Sequence, residues 1–171
     1  MATLKSKSKP KKTWNEKLQD DKGLPKTAPI PDNLTKSWGT GTFVIGAPRE
    51  VNALMQKVRK GRVTTIDELR RALAQKHGTT TACPITTGIF AWTSAHAAAE
   101  SSAGEAGRIT PYWRTLKARG ELNPKYPGGL EELQRLLEAE GHTVVQKGKR
   151  SFVKDFEKKV TPWADLLGAG A

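Results

Sequence analysis

The stretch TIDELRRALAQKHGTTTACPITTGIFAWTSAHAAAE, residues 65–100, decides the fold of this chain. Its first part repeats apolar residues at helical spacing, which predicts an amphipathic helix over 66–78 with the following side chains inward: Ile66, Leu69, Ala72 and Leu73. Thr65 precedes this helix and Glu68 follows three residues later, a pattern typical of a capping box. Gly78 suits the left-handed residue that ends a helix.

A second helix is predicted over 84–99, because Pro84 fits a first helical position and the residues after it are rich in alanine. The two helices are joined by a short polar turn. Helix, turn and helix in this order predict a helix-turn-helix, in which 84–99 is the recognition helix.

The flanking residues extend this unit into one small domain, whose core lies within 43–145. Apolar spacing predicts a helix over 48–58, with this inward face: Val51, Leu54, Met55 and Val58. A leucine stripe predicts another helix over 129–141, formed by Leu130, Leu133, Leu136 and Leu137. We expect short or extended strands at 41–48 and 108–116, a flexible loop at 101–107, and a basic β-hairpin around Gly148 within 142–156.

Charge is the strongest compositional signal in the 171 residues. The formal net charge is +12 and the sequence pI is near 10, a balance that favours a polyanionic partner such as nucleic acid. No apolar run is long enough to span a membrane, and the N-terminus lacks the apolar core of a secretory signal. A single cysteine, Cys83, excludes an internal disulfide and a cysteine-based metal cluster.

The composition also suggests how the chain is divided. Residues 1–40 are predicted to be a basic, proline-containing tail that is mostly disordered or extended, because they carry too little apolar surface to offset ordering. Residues 41–160 form the predicted domain, and 161–171 a C-terminal tail. The histidines lack metal-ligand spacing, so we expect no metal and no cofactor: His77, His96 and His142.

Three short motifs follow the helix-turn-helix in order. They are Pro111-Tyr112-Trp113-Arg114 with Gly120 after it, then Tyr126-Pro127-Gly128-Gly129, then Glu140-Gly141. Together they resemble the DNA-binding domain of the alkylguanine-DNA alkyltransferase family over roughly residues 48–145. The resemblance implies a mainly α (α+β) fold, a winged helix-turn-helix DNA-binding domain of alkyltransferase type.

The departures from that family concern its chemistry. Tyr112 stands at the position of the acceptor cysteine and Trp113 at that of the activating histidine, while Glu140 matches the acid that orients the histidine. A phenol is a poor acceptor at neutral pH, and indole has no basic nitrogen. The chain is therefore similar to alkyltransferase-like proteins that lack the acceptor cysteine. The family's intercalating arginine falls near Ile85 or Thr86, where Ile85 could act as an apolar wedge.

The predicted function is non-enzymatic binding of double-stranded DNA, with recognition of altered or flipped bases in DNA repair. We expect these residues to contact DNA: Thr80, Thr81, Thr86, Thr87, Arg114, Lys117, Arg119, Lys125, Lys147, Lys149 and Arg150. Arg114 could instead pair with Glu140. A base pocket is predicted from these residues: Ile85, Tyr112, Trp113, Tyr126 and Gly128.

Two alternatives remain open from the sequence. In one, Cys83 at a helix N-terminus is an alkyl acceptor. In the other, the chain is an architectural or RNA-associated basic protein without lesion preference. The expected setting is a cytoplasmic, nucleoid-associated monomer that contacts DNA, damaged DNA included, and a repair protein, but no membrane.

Overall fold

The computed structural model of this protein describes residues 10–102 and 109–168. The helices in these ranges are α1 (Trp14–Gln19), α2 (Thr35–Trp38), α3 (Pro48–Gln56), α4 (Ile66–His77), α5 (Pro84–Ser102), α6 (Gly129–Ala139) and α7 (Trp163–Leu166). The strands are β1 (Lys26–Pro29), β2 (Thr42–Ile45), β3 (Thr64–Thr65), β4 (Thr81–Ala82), β5 (Thr115–Leu116), β6 (Val144–Lys147) and β7 (Arg150–Val153).

The strands form three small sheets around the helices. In the first, β2 pairs antiparallel with β1 and parallel with β4. The second joins β3 and β5 in parallel, and the third is the antiparallel hairpin of β6 and β7. The fold is therefore mainly helical and α+β, as predicted, and the hairpin prediction is confirmed.

The helix-turn-helix is formed by α4 and α5. The Thr65 hydroxyl accepts the backbone N–H of Glu68 at 3.3 Å, and Gly78 ends α4 with φ of +66°. Only half of the predicted capping box is present, because the Glu68 carboxylate accepts the backbone N–H of Trp163 instead. The next segment pairs with β2 through β4, which fixes where α5 begins.

The apolar faces of α3, α4 and α5 pack into one core. Every residue of the predicted inward face of α3 is buried, including Val58 just beyond its end. The predicted face of α4 is buried except for Ile66, which is partly covered. Leu133 and Leu137 bring α6 onto the same core. No helix of the described chain has the length and hydrophobicity needed to cross a membrane.

The interpretation of residues 10–40 as a disordered or extended tail is wrong. Helix α1 lies against α5, where the Trp14 ring is 4.5 Å from the ring of His96, centroid to centroid. The Glu100 carboxylate accepts the backbone N–H of Trp14 at 3.0 Å, and β1 pairs with β2. The prolines separate short elements here, and long-range contacts supply the order that local composition lacks. Residues 1–9 lie outside the described residues.

Two further predictions need correction. The predicted C-terminal tail contains α7, which packs on α4 with Leu166 fully buried, while residues 169–171 lie outside the described residues. The segment 108–116 is predicted to be extended, but Tyr112–Arg114 form one turn of 3₁₀ helix before β5. Most of the predicted loop at 101–107 also lies outside the described residues.

Candidate nucleic-acid interface

The first turns of α5 present apolar side chains to solvent. Ile85 is 66% exposed and Ile89, one helical turn further, is 48% exposed. Gly88 lies between them in sequence, and a Cβ atom at that position would meet nothing within 4 Å. Of the other large apolar side chains of α5, Phe90 is buried and Trp92 is partly buried. The start of α5 is therefore an open surface with an apolar ridge formed by Ile85 and Ile89.

The four threonines that are predicted to contact DNA differ in their exposure to solvent. Thr80 is exposed, and Thr81 and Thr86 are partly buried. The prediction that Thr87 contacts DNA is wrong, because this residue is only 2% exposed and its hydroxyl donates to the Cys83 carbonyl at 2.7 Å. That bond stabilises the first turn of α5 from within the protein.

Lys125 is positioned beside α5 by its own backbone. Its carbonyl accepts a hydrogen bond from the Trp92 indole N–H at 3.1 Å and lies 3.2 Å from Nε2 of His96. The lysine side chain stays exposed. The loop before α6 therefore adds a positive charge next to the recognition helix.

A second basic surface combines the hairpin with the 3₁₀ turn at Ala118–Gly120, which packs against β7. Its cations are all exposed: Lys117, Arg119, Lys147, Lys149 and Arg150. Glu121 lies 3.8 Å from the Lys117 ammonium and 3.9 Å from the Arg150 guanidinium, so it links turn and hairpin while leaving a positive excess. We refer to these five cationic residues as the hairpin surface.

The assignment of Arg114 to phosphate is wrong. Its Nη2 lies 2.6 Å from Oε1 of Glu140, its Nε also donates to that carboxylate, and its Nη1 donates to the Val58 carbonyl at 2.7 Å. The side chains of Arg114 and Glu140 are only 14% and 7% exposed. These bonds all point into the protein, so the guanidinium joins α6 to the end of α3.

Glu140 also holds the aromatic residue of the motif. The Trp113 indole N–H donates to Oε1 of Glu140 at 3.1 Å. The carboxylate therefore contacts the residue that stands, by the resemblance described above, at the position of the activating histidine. Burial would raise the pKa of Glu140, but hydrogen bonds from Arg114 and Trp113, with the guanidinium charge, hold that pKa below its ordinary value. Glu140 is therefore a buried anion, and both of its carboxylate oxygens accept hydrogen bonds from the protein.

The predicted base pocket is not assembled. Tyr112 and Tyr126 are 7% and 3% exposed, with ring centroids 6.1 Å apart, and burial raises the pKa of both phenols. The 3₁₀ turn that contains Tyr112 contacts both α5 and α6, and both tyrosines belong to the hydrophobic core. Ile85 and Gly128 lie at the surface, where a Cβ atom on Gly128 would come within 2.5 Å of Glu132. Because both tyrosines are packed in the core, neither ring is open to a base.

Trp113 lines a different space. A cleft of about 1070 Å³ lies beside it, between the end of α3, the segment 57–62 and α7. Four cations of that segment line the cleft: Lys57, Arg59, Lys60 and Arg62. The predictions from sequence assign no function to this cluster, although the run KVRKGR (57–62) is visible in the sequence.

Cys83 is buried, with 7% of its surface exposed. Its backbone N–H donates to the Val44 carbonyl, which holds the residue between β2 and α5. Within residues 10–102 and 109–168, no three metal-ligating side chains gather in one place. The position of the thiol gives no support to the alternative in which Cys83 is an accessible alkyl acceptor.

Fold and surface together define a mainly helical α+β protein with a helix-turn-helix and two exposed basic surfaces. No family model matches the sequence, and no curated protein matches it either. Among solved structures, the chain is similar to S. pombe Atl1, crystallised in complex with damaged DNA containing O6-carboxymethylguanine. The identity is 16%, the match covers 67% of this chain and 93% of that one, and the TM-score is 0.46.

Proposed function

We propose that this protein binds double-stranded DNA without catalysing a reaction, and that the start of α5 lies against the duplex. The observation that carries the proposal is the exposed ridge of Ile85 and Ile89 on the second helix of the helix-turn-helix, with open space at Gly88. A helix in this position is the element that such motifs place in a DNA groove. Ile85 and Ile89 on this helix keep 66% and 48% of their surface exposed within the described chain.

Charge supplies the affinity in this proposal. Lys125 beside α5 and the hairpin surface would contact phosphates, because exposed lysine and arginine release counterions from DNA when they bind. The hairpin then acts as the wing that the sequence predicts. These contacts position the protein and carry no sequence information.

Preference for altered bases would come from Ile85. An apolar side chain that enters between base steps must unstack them, and unstacking costs least where a base is damaged or mispaired. Because Tyr112 and Tyr126 fill the predicted pocket, the discrimination arises at the base step and needs no cavity for an extruded base. An architectural protein would instead bind damaged and plain duplex equally.

Replacement of Ile85 by alanine tests this proposal. We expect the wild-type protein to favour a duplex carrying one alkylguanine over the plain duplex, and the Ile85→Ala variant to lose about tenfold, ~1.4 kcal/mol, in affinity for the damaged duplex. Fluorescence anisotropy at two salt concentrations measures both affinities.

Ile109→Ala is the matched control, since Ile109 is also exposed but lines the cleft beside Trp113, whose lining among the described residues includes none from α5. This variant should bind both duplexes as the wild type does. Equal affinity of the wild type for damaged and plain duplex would reject lesion recognition and leave architectural binding. Absence of duplex binding at low salt would reject the proposed function altogether.

A further inference from the structure

The cleft beside Trp113 differs from the proposed duplex surface in its position. Its lining comes from the end of α3, the segment 57–62, the 3₁₀ turn of Trp113 and the region of α7. Among the described residues, its lining includes none from α5 and none from the hairpin. A ligand in this cleft would therefore occupy a surface of its own.

The charge of the cleft is strongly positive and largely uncompensated. Within the described chain, none of the four cations in 57–62 forms an ion pair, whereas Lys117 and Arg150 of the hairpin surface both lie near Glu121. Arg62 donates to the Val160 carbonyl at 3.1 Å, an acceptor that carries no net charge. Asp165 is the acidic residue on the rim. Cations concentrated in this way attract a polyanion.

The cleft also has aromatic and apolar lining residues. Trp113 is fixed by its bond to Glu140, and Tyr112 packs edge-on to it, with ring centroids 5.4 Å apart. Ile109, 37% exposed, and Pro111 lie beside it. An indole in the same cleft as cations that form no ion pair within the described chain is a combination suited to single-stranded nucleic acid, because bases stack on the ring while phosphates meet the charges.

We propose that this cleft binds a single-stranded nucleic-acid segment, with phosphates along 57–62 and a base against Trp113. A duplex cannot place a base against Trp113, since its base faces are stacked inside the helix. A single strand offers both phosphates and base faces. This inference goes beyond the proposed function and does not require it, because the cleft lining includes neither the ridge on α5 nor the hairpin surface.

The test compares two double variants that remove the same charge. We expect Arg59→Ala/Lys60→Ala to weaken binding of a fluorescein-labelled oligothymidylate of about eight nucleotides by about tenfold. The slope of log affinity against log salt should fall by roughly 0.7 for each phosphate that the variant no longer neutralises. Lys147→Ala/Lys149→Ala should leave the affinity for this oligonucleotide unchanged. An oligouridylate of equal length shows whether RNA binds the same cleft.

A duplex probe, measured with the same proteins, separates this inference from the proposed function. Lys147→Ala/Lys149→Ala should weaken duplex binding, while Arg59→Ala/Lys60→Ala should not. Trp113→Ala should also weaken oligonucleotide binding, and the charge variants test the cleft on their own if that variant fails to fold. Equal losses from both charge pairs, or no oligonucleotide binding by the wild type at low salt, would overturn the assignment of the cleft whatever the duplex result.

Discussion

Glu140→Ala is expected to lower the free energy of unfolding by about 3–5 kcal/mol, the usual result of removing one partner from a buried ion pair. The substitution leaves the Arg114 guanidinium, 14% exposed, without its anion. It also removes the acceptor of the Trp113 indole N–H. Chemical denaturation followed by circular dichroism measures the decrease.

Glu138→Ala is the control on the same helix. The Glu138 carboxylate is exposed and accepts only a side-chain hydrogen bond from Gln134, so its removal should change stability little. If Glu140→Ala and Glu138→Ala have the same free energy of unfolding, the ion pair of Arg114 and Glu140 contributes nothing to stability.

The lowered pKa of Glu140 predicts that the stability of the protein depends on pH. Because its pKa is lower in the folded protein than the ordinary 4.5, Glu140 stabilises the fold above pH 4.5, and this contribution is lost as the pH falls through the folded pKa. The difference in unfolding free energy between wild type and Glu140→Gln should be large at neutral pH and disappear in acid. If this difference in unfolding free energy did not change with pH, the negative charge of Glu140 would not be the source of the stabilisation.

Gly88→Glu is expected to abolish most duplex binding while the protein remains folded. A Cβ atom at position 88 would meet nothing within 4 Å, and glutamate is a better helix former than glycine, so the variant should be at least as stable as the wild type. The new carboxylate would face DNA phosphates, and like charges at an interface cost several kcal/mol. We therefore expect an affinity loss of about a hundredfold in anisotropy titrations.

Gly88→Ala separates charge from size at this position. It should raise the unfolding free energy by about 1 kcal/mol and keep most of the affinity, because a methyl group adds little bulk to an open surface. Unchanged duplex affinity in Gly88→Glu would place DNA elsewhere on the molecule.

Local sequence patterns predicted four helices, α3, α4, α5 and α6, and the hairpin, but they did not predict α1, α2 or α7. The spacing of Leu69 and Leu73 in α4, the left-handed Gly78 and the turn at Gly148 each express a preference of a few neighbouring residues. The family resemblance placed Glu140 opposite the Pro111–Arg114 motif, where the structure has it. It did not show that tyrosines would close the pocket, since that depends on packing between α5 and α6.

The failures of prediction concern contacts between distant residues. The N-terminal segment is ordered by Glu100, 86 positions after Trp14, and no local rule reveals such a contact. Arg114 could have met either phosphate or Glu140, and only the fold shows which. Thr87 has the residue type of a phosphate contact, but its place on the inner face of α5 directs its hydroxyl to Cys83.

Cross-linking from α5 tests the central claim most directly. In a Cys83→Ser background, Gly88→Cys creates a single thiol at the proposed interface, and Glu138→Cys creates one on the exposed side of α6. Each protein is incubated with a duplex that carries a disulfide tether on one base, and the covalent complex is quantified on a non-reducing gel. The account predicts efficient cross-linking from position 88 and little from position 138. Equal cross-linking from both positions, or cross-linking from position 138 alone, would contradict it.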